Sequence, residues 1–181
     1  MFKKQYNFYG KHAAYVKKLT AKISISDVEF INIFNRNIDV LLFAGIIGIV
    51  YGKRSELDKS KNSMNEVENT GIFAETIISN SEKLNYIYEV IMLLHDKQNI
   101  DKDTRIDRAF KYYNKSEEFK KLCYDIYNSY VLGGIEILYE KIIGNCTDIE
   151  EYMEKLYEFL DEFNMKFNII KGDENIKDLY L

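Results

Sequence analysis

Apolar residues along this chain recur mostly with the period of an α-helix. Leu84, Ile87, Tyr88, Ile91 and Leu94 follow the i, i+3, i+4 rule that puts side chains on one helical face. A cap near Asn80 or Ser81 opens that helix. Ile149, Tyr152, Met153, Leu156, Leu160, Phe163 and Phe167 form the cleanest stripe. It stands behind Thr147-Asp148-Ile149-Glu150, a capping box whose hydroxyl and carboxylate satisfy backbone N–H groups reciprocally. The series Phe119, Leu122, Cys123, Ile126, Tyr130, Gly133, Ile137 and Leu138 predicts one long helix from Ser116 to about Ile143. Shorter helices are expected over residues 10–20, with Ala13, Val16 and Leu19 on one side, and around Ile106, Ala109, Phe110 and Tyr113. A second capping box, Ser26-Asp27-Val28-Glu29, predicts a helix through Phe30, Ile31 and Phe34. Alternation with period two is confined to Lys22–Ser26 and Ile72–Ile78. The expected fold class is all-α, a single compact helical bundle of about six helices.

One predicted helix differs from the rest. Ile38 to Tyr51, capped by Asn37, is apolar nearly all round, which marks a central helix covered by others. The run is too short for a membrane span, which needs about 20 residues. It carries Ala44, Gly45, Gly48 and Gly52, and the long helix carries Gly133-Gly134. Glycine costs roughly 1 kcal/mol against alanine inside a helix, so close approach of another backbone is the expected compensation. Residues 53–70 are polar and aperiodic and read as a long loop, a class that is often functional. The expected layout is one domain over 1–169, with 1–25 a basic N-terminal extension or short helix and 170–181 a tail.

Composition adds two constraints. The 181 residues include no proline and no tryptophan, although usage near 5% would place roughly nine prolines in such a chain. Helices can therefore run uninterrupted, and turns fall to glycine and asparagine. The two cysteines, Cys123 and Cys146, make neither a disulfide framework nor a zinc motif. The basic start, Met1-Phe2-Lys3-Lys4, leads into polar and aromatic sequence rather than a signal peptide, and the protein is expected to be cytoplasmic. A net charge of −4 conceals a bipolar layout: residues 1–26 hold six lysines and no acid, while 148–162 hold seven acids and one lysine. The two ends either face each other within the fold, face different partners, or simply form solvated helix surfaces.

Candidate chemistry is sparse. His12 and His95 are the only histidines, and His95 and Asp96 point apart on a helix. Small helical ribonucleases of the HEPN type need a histidine four to six residues after an arginine, and none of Arg36, Arg54, Arg105 or Arg108 has one. Gly48 to Ser55 has one residue too few between its glycines for a phosphate loop and closes a helix instead of opening one. Asp101 to Asp107 lacks the glycine and terminal glutamate of a calcium loop. No catalytic residue, metal or cofactor is assigned. The most suggestive surface is Arg105, Arg108, Lys111, Tyr112 and Lys115, cations interleaved with an aromatic, joined by Lys53 and Arg54 if the fold brings them near. Such a set can grip phosphates and stack on a base. Its acids, Asp101, Asp107, Glu117 and Glu118, can equally neutralise the stripe as an ordinary salt-bridged helix. Two alternatives stand beside this: a metal-dependent nuclease using Asp39, Asp125, Glu136 and Glu140, and a stand-alone nucleic-acid-binding protein.

Two stretches carry a family resemblance. Asp39-Val-Leu-Leu-Phe-Ala-Gly-Ile-Ile-Gly, ending in Tyr51-Gly-Lys-Arg, and Tyr130-Val-Leu-Gly-Gly-Ile-Glu-Ile-Leu-Tyr139 together resemble small helical proteins encoded beside bacterial DNA phosphorothioation (Dnd-type) and related anti-phage systems. The resemblance implies a role beside a DNA-modification or restriction machine. With the missing catalytic chemistry and the bipolar charge, it leads to the expectation of a non-enzymatic accessory or adaptor subunit acting through protein partners of the same system, with a local DNA or RNA contact through Arg105, Arg108, Lys111, Lys53 and Arg54. It supplies no catalytic residues.

Overall fold

The computed structural model describes residues 2–25, 28–30, 32–60, 68–111, 115–144, 146 and 149–172. The chain divides into two compact units, Met1–Tyr139 and Glu140–Leu181. Among the described residues there are seven α-helices and two short antiparallel strand pairs. The fold is mostly all-α, as the periodicity predicts.

The first unit opens with strand β1 (Tyr6–Tyr9), helix α1 (Gly10–Thr20), and strands β2 (Ile23–Ile25) and β3 (Val28–Phe30). Then come α2 (Asn37–Tyr51), β4 (Asn69–Ile72), α3 (Ala74–Ser79), α4 (Ser81–Leu94), α5 (Lys102–Phe110) and α6 (Glu117–Leu138). Strand β1 pairs with β4, Tyr6 opposite Ile72, and β2 pairs with β3, Ile23 opposite Phe30. The helix expected from Ser26 is therefore corrected at Val28–Phe30, which form a strand. Valine and phenylalanine favour a pleated ladder when a partner strand is adjacent. Ser26 and Asp27, the start of that capping box, lie outside the described residues, as do Thr147 and Asp148 of the other.

Helix α2 is the centre of the unit and packs chiefly on α6, with α4 and α1 beside it. Ile38, Val40, Leu41, Ala44, Gly45, Ile47 and Gly48 are buried. Its outer edge differs from the expected all-round burial: Phe43 and Ile46 are exposed beside Tyr86 of α4, across an open apolar groove of about 490 Å³. Asn37 occupies the first helical position and not the cap. Its Nδ2 donates instead to Thr70 Oγ1 and the Gly71 carbonyl, each at 3.1 Å, tying α2 to β4. Caps elsewhere follow the usual chemistry. Asp101 accepts from Thr104 N to start α5, and Ser116 accepts from Phe119 N to start α6.

The predicted long helix reaches Leu138 and continues as a π-helical turn, Tyr139–Ile143. In the second unit, α7 (Ile149–Gly172) is helical as predicted, but its predicted stripe is only partly covered: Tyr152 is buried, Leu156 and Phe163 are half-buried, and Met153 and Leu160 are exposed, while Phe159, outside the stripe, is buried. Lys141 and Glu162 pair within that unit. Among the described residues, no helix is long and apolar enough to cross a membrane.

Candidate functional site

The site is built on the crossing of α2 and α6. A Cβ on Gly48 would lie 2.0 Å from the Tyr130 carbonyl oxygen, and one on Gly134 would lie 1.9 Å from that of Ala44. Neither distance is possible between real atoms, so the two backbones meet because both positions lack a side chain. Gly133 extends the crossing to the segment that follows α2, where a Cβ would lie 2.2 Å from the Lys53 carbonyl oxygen. Gly52 ends α2 in the left-handed conformation (φ +62°) with open space around it, so its requirement is conformational. This turn sends Lys53-Arg54-Ser55 back across α6. Ser55 N then donates to the Ser129 carbonyl at 2.9 Å.

Beneath this segment lies Glu136, a buried carboxylate on α6. Its Oε1 receives Lys11 Nζ at 2.9 Å, His12 Nε2 at 3.1 Å and the Ser55 hydroxyl, while Lys53 Nζ stands 3.6 Å from Oε2. Burial pushes the Glu136 carboxyl up, but hydrogen bonds from Ser55 and Lys11, with the Lys11 charge and His12, hold it below the ordinary glutamate range. Burial also pushes His12 below the ordinary histidine value, against the opposing pull of Glu136. Its Nδ1 is buried and has no hydrogen-bond partner among the described residues. Asp58 completes the tie by accepting from Lys11 N at 2.7 Å and Ser60 N at 2.8 Å. Those bonds hold its carboxyl down at about 2. Gly10 (φ +55°) is pressed against Asp58, where a Cβ would lie 2.5 Å from Oδ2. Loop 53–60 is thus clamped to α1 and α6 and is not a free loop.

Above Glu136 the segment lines an open cleft of about 560 Å³ formed by Lys53, Arg54, Ser55, Glu56, Ser129 and Glu136. Arg54 is held from two sides. Its Nε donates to Ser129 Oγ at 2.8 Å, and its guanidinium carbon stands 5.6 Å from the centre of the Tyr130 ring. The Tyr130 hydroxyl meets His95 Nδ1 at 3.1 Å. Burial pushes His95 down first, then the charges of Arg54 and Arg108 push it further. The charges of two arginines from separate parts of the sequence therefore act on one buried histidine.

The remaining predicted residues are distributed around α5. Arg105 donates through Nε to the Ile100 carbonyl at 3.1 Å and through Nη1 to that of Leu93, so its fork closes the end of α4. Arg108 is half-buried, with its Nε buried and without a hydrogen-bond partner among the described residues. Lys111 and Lys115 both pair with Asp107, at 2.6 and 3.2 Å. Lys115 also stands 5.6 Å from the Phe119 ring centre. Tyr112 lies outside the described residues. The structure thus places Arg54 and Arg108 where the charge of each acts on His95, engages Arg105 with backbone carbonyls, and pairs Lys111 and Lys115 with a neighbouring acid.

Of the carboxylates considered for metal chemistry, Asp39 pairs with Arg36 at 3.0 Å and Glu136 is engaged as described. Among the described residues, no three His, Cys, Asp or Glu side chains are grouped as metal ligands. The role of Glu136 as a network centre is not visible in the sequence. Its only signal there is an acid within an apolar glycine-bearing helix.

In comparison with known families, the model for DNA sulphur modification system-associated protein 4 matches residues 11–172. No curated protein and no solved structure matches the chain.

Proposed function

We propose that this chain, which belongs to the DNA sulphur modification system-associated protein 4 family, is an accessory subunit that acts through protein contacts within such a system and touches nucleic acid locally through Arg54 and Arg108. The family match carries the first half of this reading. The second half rests on Arg54. Its Nε is occupied by Ser129 and its guanidinium stands over the Tyr130 ring, while its two Nη groups have no protein partner among the described residues. A guanidinium fixed this way loses little freedom on meeting a phosphate, and its planar fork suits bidentate contact. Lys53 lines the same cleft. Lys111 and Lys115 contribute less in this reading, because both already pair with Asp107.

Two experiments test the two halves. Co-expression with the modification proteins of its own system should recover the chain in a complex. A clean monomer that recovers none of them rejects the accessory role. Gel-shift titration on duplex DNA at several salt concentrations tests the nucleic-acid half. Arg54→Ala with Arg108→Ala should weaken binding and lower the salt slope by about 2, one for each phosphate that an arginine no longer neutralises. Undetectable binding at low salt, or binding unchanged in the double variant, rejects it.

A further inference from the structure

Helix α7 buries one side and leaves a second apolar stripe in solvent. Met153, Tyr157 and Leu160 are 55%, 74% and 56% exposed, although Tyr152 and Phe159 of the same helix are buried. At 3.6 residues per turn the three exposed side chains fall within a sector of roughly 60°, spaced i, i+4 and i+7. That is the anchor spacing by which one amphipathic helix reads another. Glu150, Asp161 and Glu154 follow along one flank of the stripe in the same projection. All three are exposed and make no ion pair among the described residues. The cations Lys155 and Lys166 fall on the opposite side of the helix.

We infer that the Met153–Tyr157–Leu160 face of α7 is a docking surface for an amphipathic helix of a partner protein that carries a leucine-like stripe bordered by lysine or arginine. The inference rests on the reading of the chain as an accessory subunit and supplies the surface that reading requires. Charge selects the occupant. A second α7 packed on the first would set acidic border against acidic border, or leave both uncompensated. Helix α1 of a second copy is basic, with Lys11, Lys17 and Lys18, but its apolar residues Ala13, Val16 and Leu19 are all buried, so it presents no stripe. Nucleic acid is repelled by the acidic border and offers no aliphatic stripe to the apolar one.

The test uses the full chain and two synthetic helical peptides with identical leucine stripes, one flanked by lysines and the other by glutamates. Fluorescence anisotropy should show binding of the lysine-flanked peptide, weakening with salt, and at least about tenfold weaker binding of its glutamate isomer, a gap of about 1.4 kcal/mol. Met153→Ser with Leu160→Ser should abolish binding while the far-UV circular dichroism stays unchanged, because both side chains are exposed. Reversing the border with Glu150→Lys, Glu154→Lys and Asp161→Lys should invert the preference between the peptides. The inference is overturned if neither peptide binds, if both bind equally, or if the serine variant binds normally. A dimer in sedimentation that dissociates in the serine variant also overturns it, in favour of self-association. Co-purification with the modification proteins that persists in the serine variant rejects this surface but leaves the accessory role standing. Failure of the unmodified chain to co-purify rejects the accessory role, whatever the peptides do.

Discussion

Gly134 of α6 sits against the backbone carbonyl of Ala44 so tightly that a single added Cβ would lie 1.9 Å from its oxygen. Two rigid helices cannot separate locally to admit one methyl group, because the neighbouring glycines hold the same crossing closed. Gly134→Ala should therefore destabilise the protein by about 3 kcal/mol, the upper end of overpacking costs. Gly52→Ala should cost only about 1 kcal/mol, the left-handed backbone penalty, since nothing lies within 4 Å of its Cβ position. Urea unfolding of the two variants measures the difference, and equal losses would contradict the crossing.

Glu136→Gln keeps the shape of the side chain but removes the charge that Lys11 and the neighbouring donors surround. Breaking a buried pair from one side costs about 3 kcal/mol, and the loss should appear in the unfolding midpoint. Lys11→Met in the same background should add little further, because its partner is already gone.

Acid stability follows from the depressed carboxylates. Glu136 and Asp58 both hold their protons less tightly folded than unfolded. Their contribution is complete above the ordinary carboxylate range and is lost as pH falls through the folded values, toward about 2 for Asp58. Thermal unfolding should thus weaken steadily below about pH 4.5. Asp58→Asn with Glu136→Gln should flatten that limb of the profile.

A second limb lies higher. His12 and His95 are both pushed down by burial, so the unfolded chain takes up protons before the folded one does. Stability should be complete above the ordinary histidine value and decline as pH drops from about 6.5. Glu136 partly offsets this at His12. His95→Gln and His12→Gln should each remove part of the slope, as measured by unfolding midpoints between pH 7 and 5.

Arg105 and Arg54 separate a stabilising arginine from a binding one. Arg105→Ala deprives the Leu93 and Ile100 carbonyls of a charged donor and should cost about 1.5–3 kcal/mol. Its effect on DNA binding should be small at temperatures where the variant is folded. Arg54→Ala should leave the melting temperature nearly unchanged and weaken DNA binding. The opposite pattern would return the binding role to Arg105.

Much of the fold was legible because helical periodicity is local. The stripe from Leu84 to Leu94 and the run from Phe119 to Leu138 repeat every turn, and each appears as a helix where expected. The strand at Val28–Phe30 was not legible, since it forms only against Ile23–Ile25, and a capping-box pattern is neutral to what lies across space. The candidate site divides the same way. Arg54 stood out as one of four arginines among 25 basic residues. Nothing adjacent in sequence revealed that Ser129 and Tyr130 would fix it, or that its charge and that of Arg108 would both act on His95.

The sequence alone determined the helices and the positions where backbones must touch. Apolar periodicity is written into neighbouring residues, and a glycine inside an apolar helix is costly unless another chain segment fills the space. Only the tertiary structure decided which segments those glycines admit: Tyr130 at Gly48, Ala44 at Gly134 and Lys53 at Gly133. It also decided that Lys11, His12 and Ser55 converge on Glu136. His12 and Glu136 stand 124 residues apart along the chain, and no local pattern encodes a meeting between groups that distant.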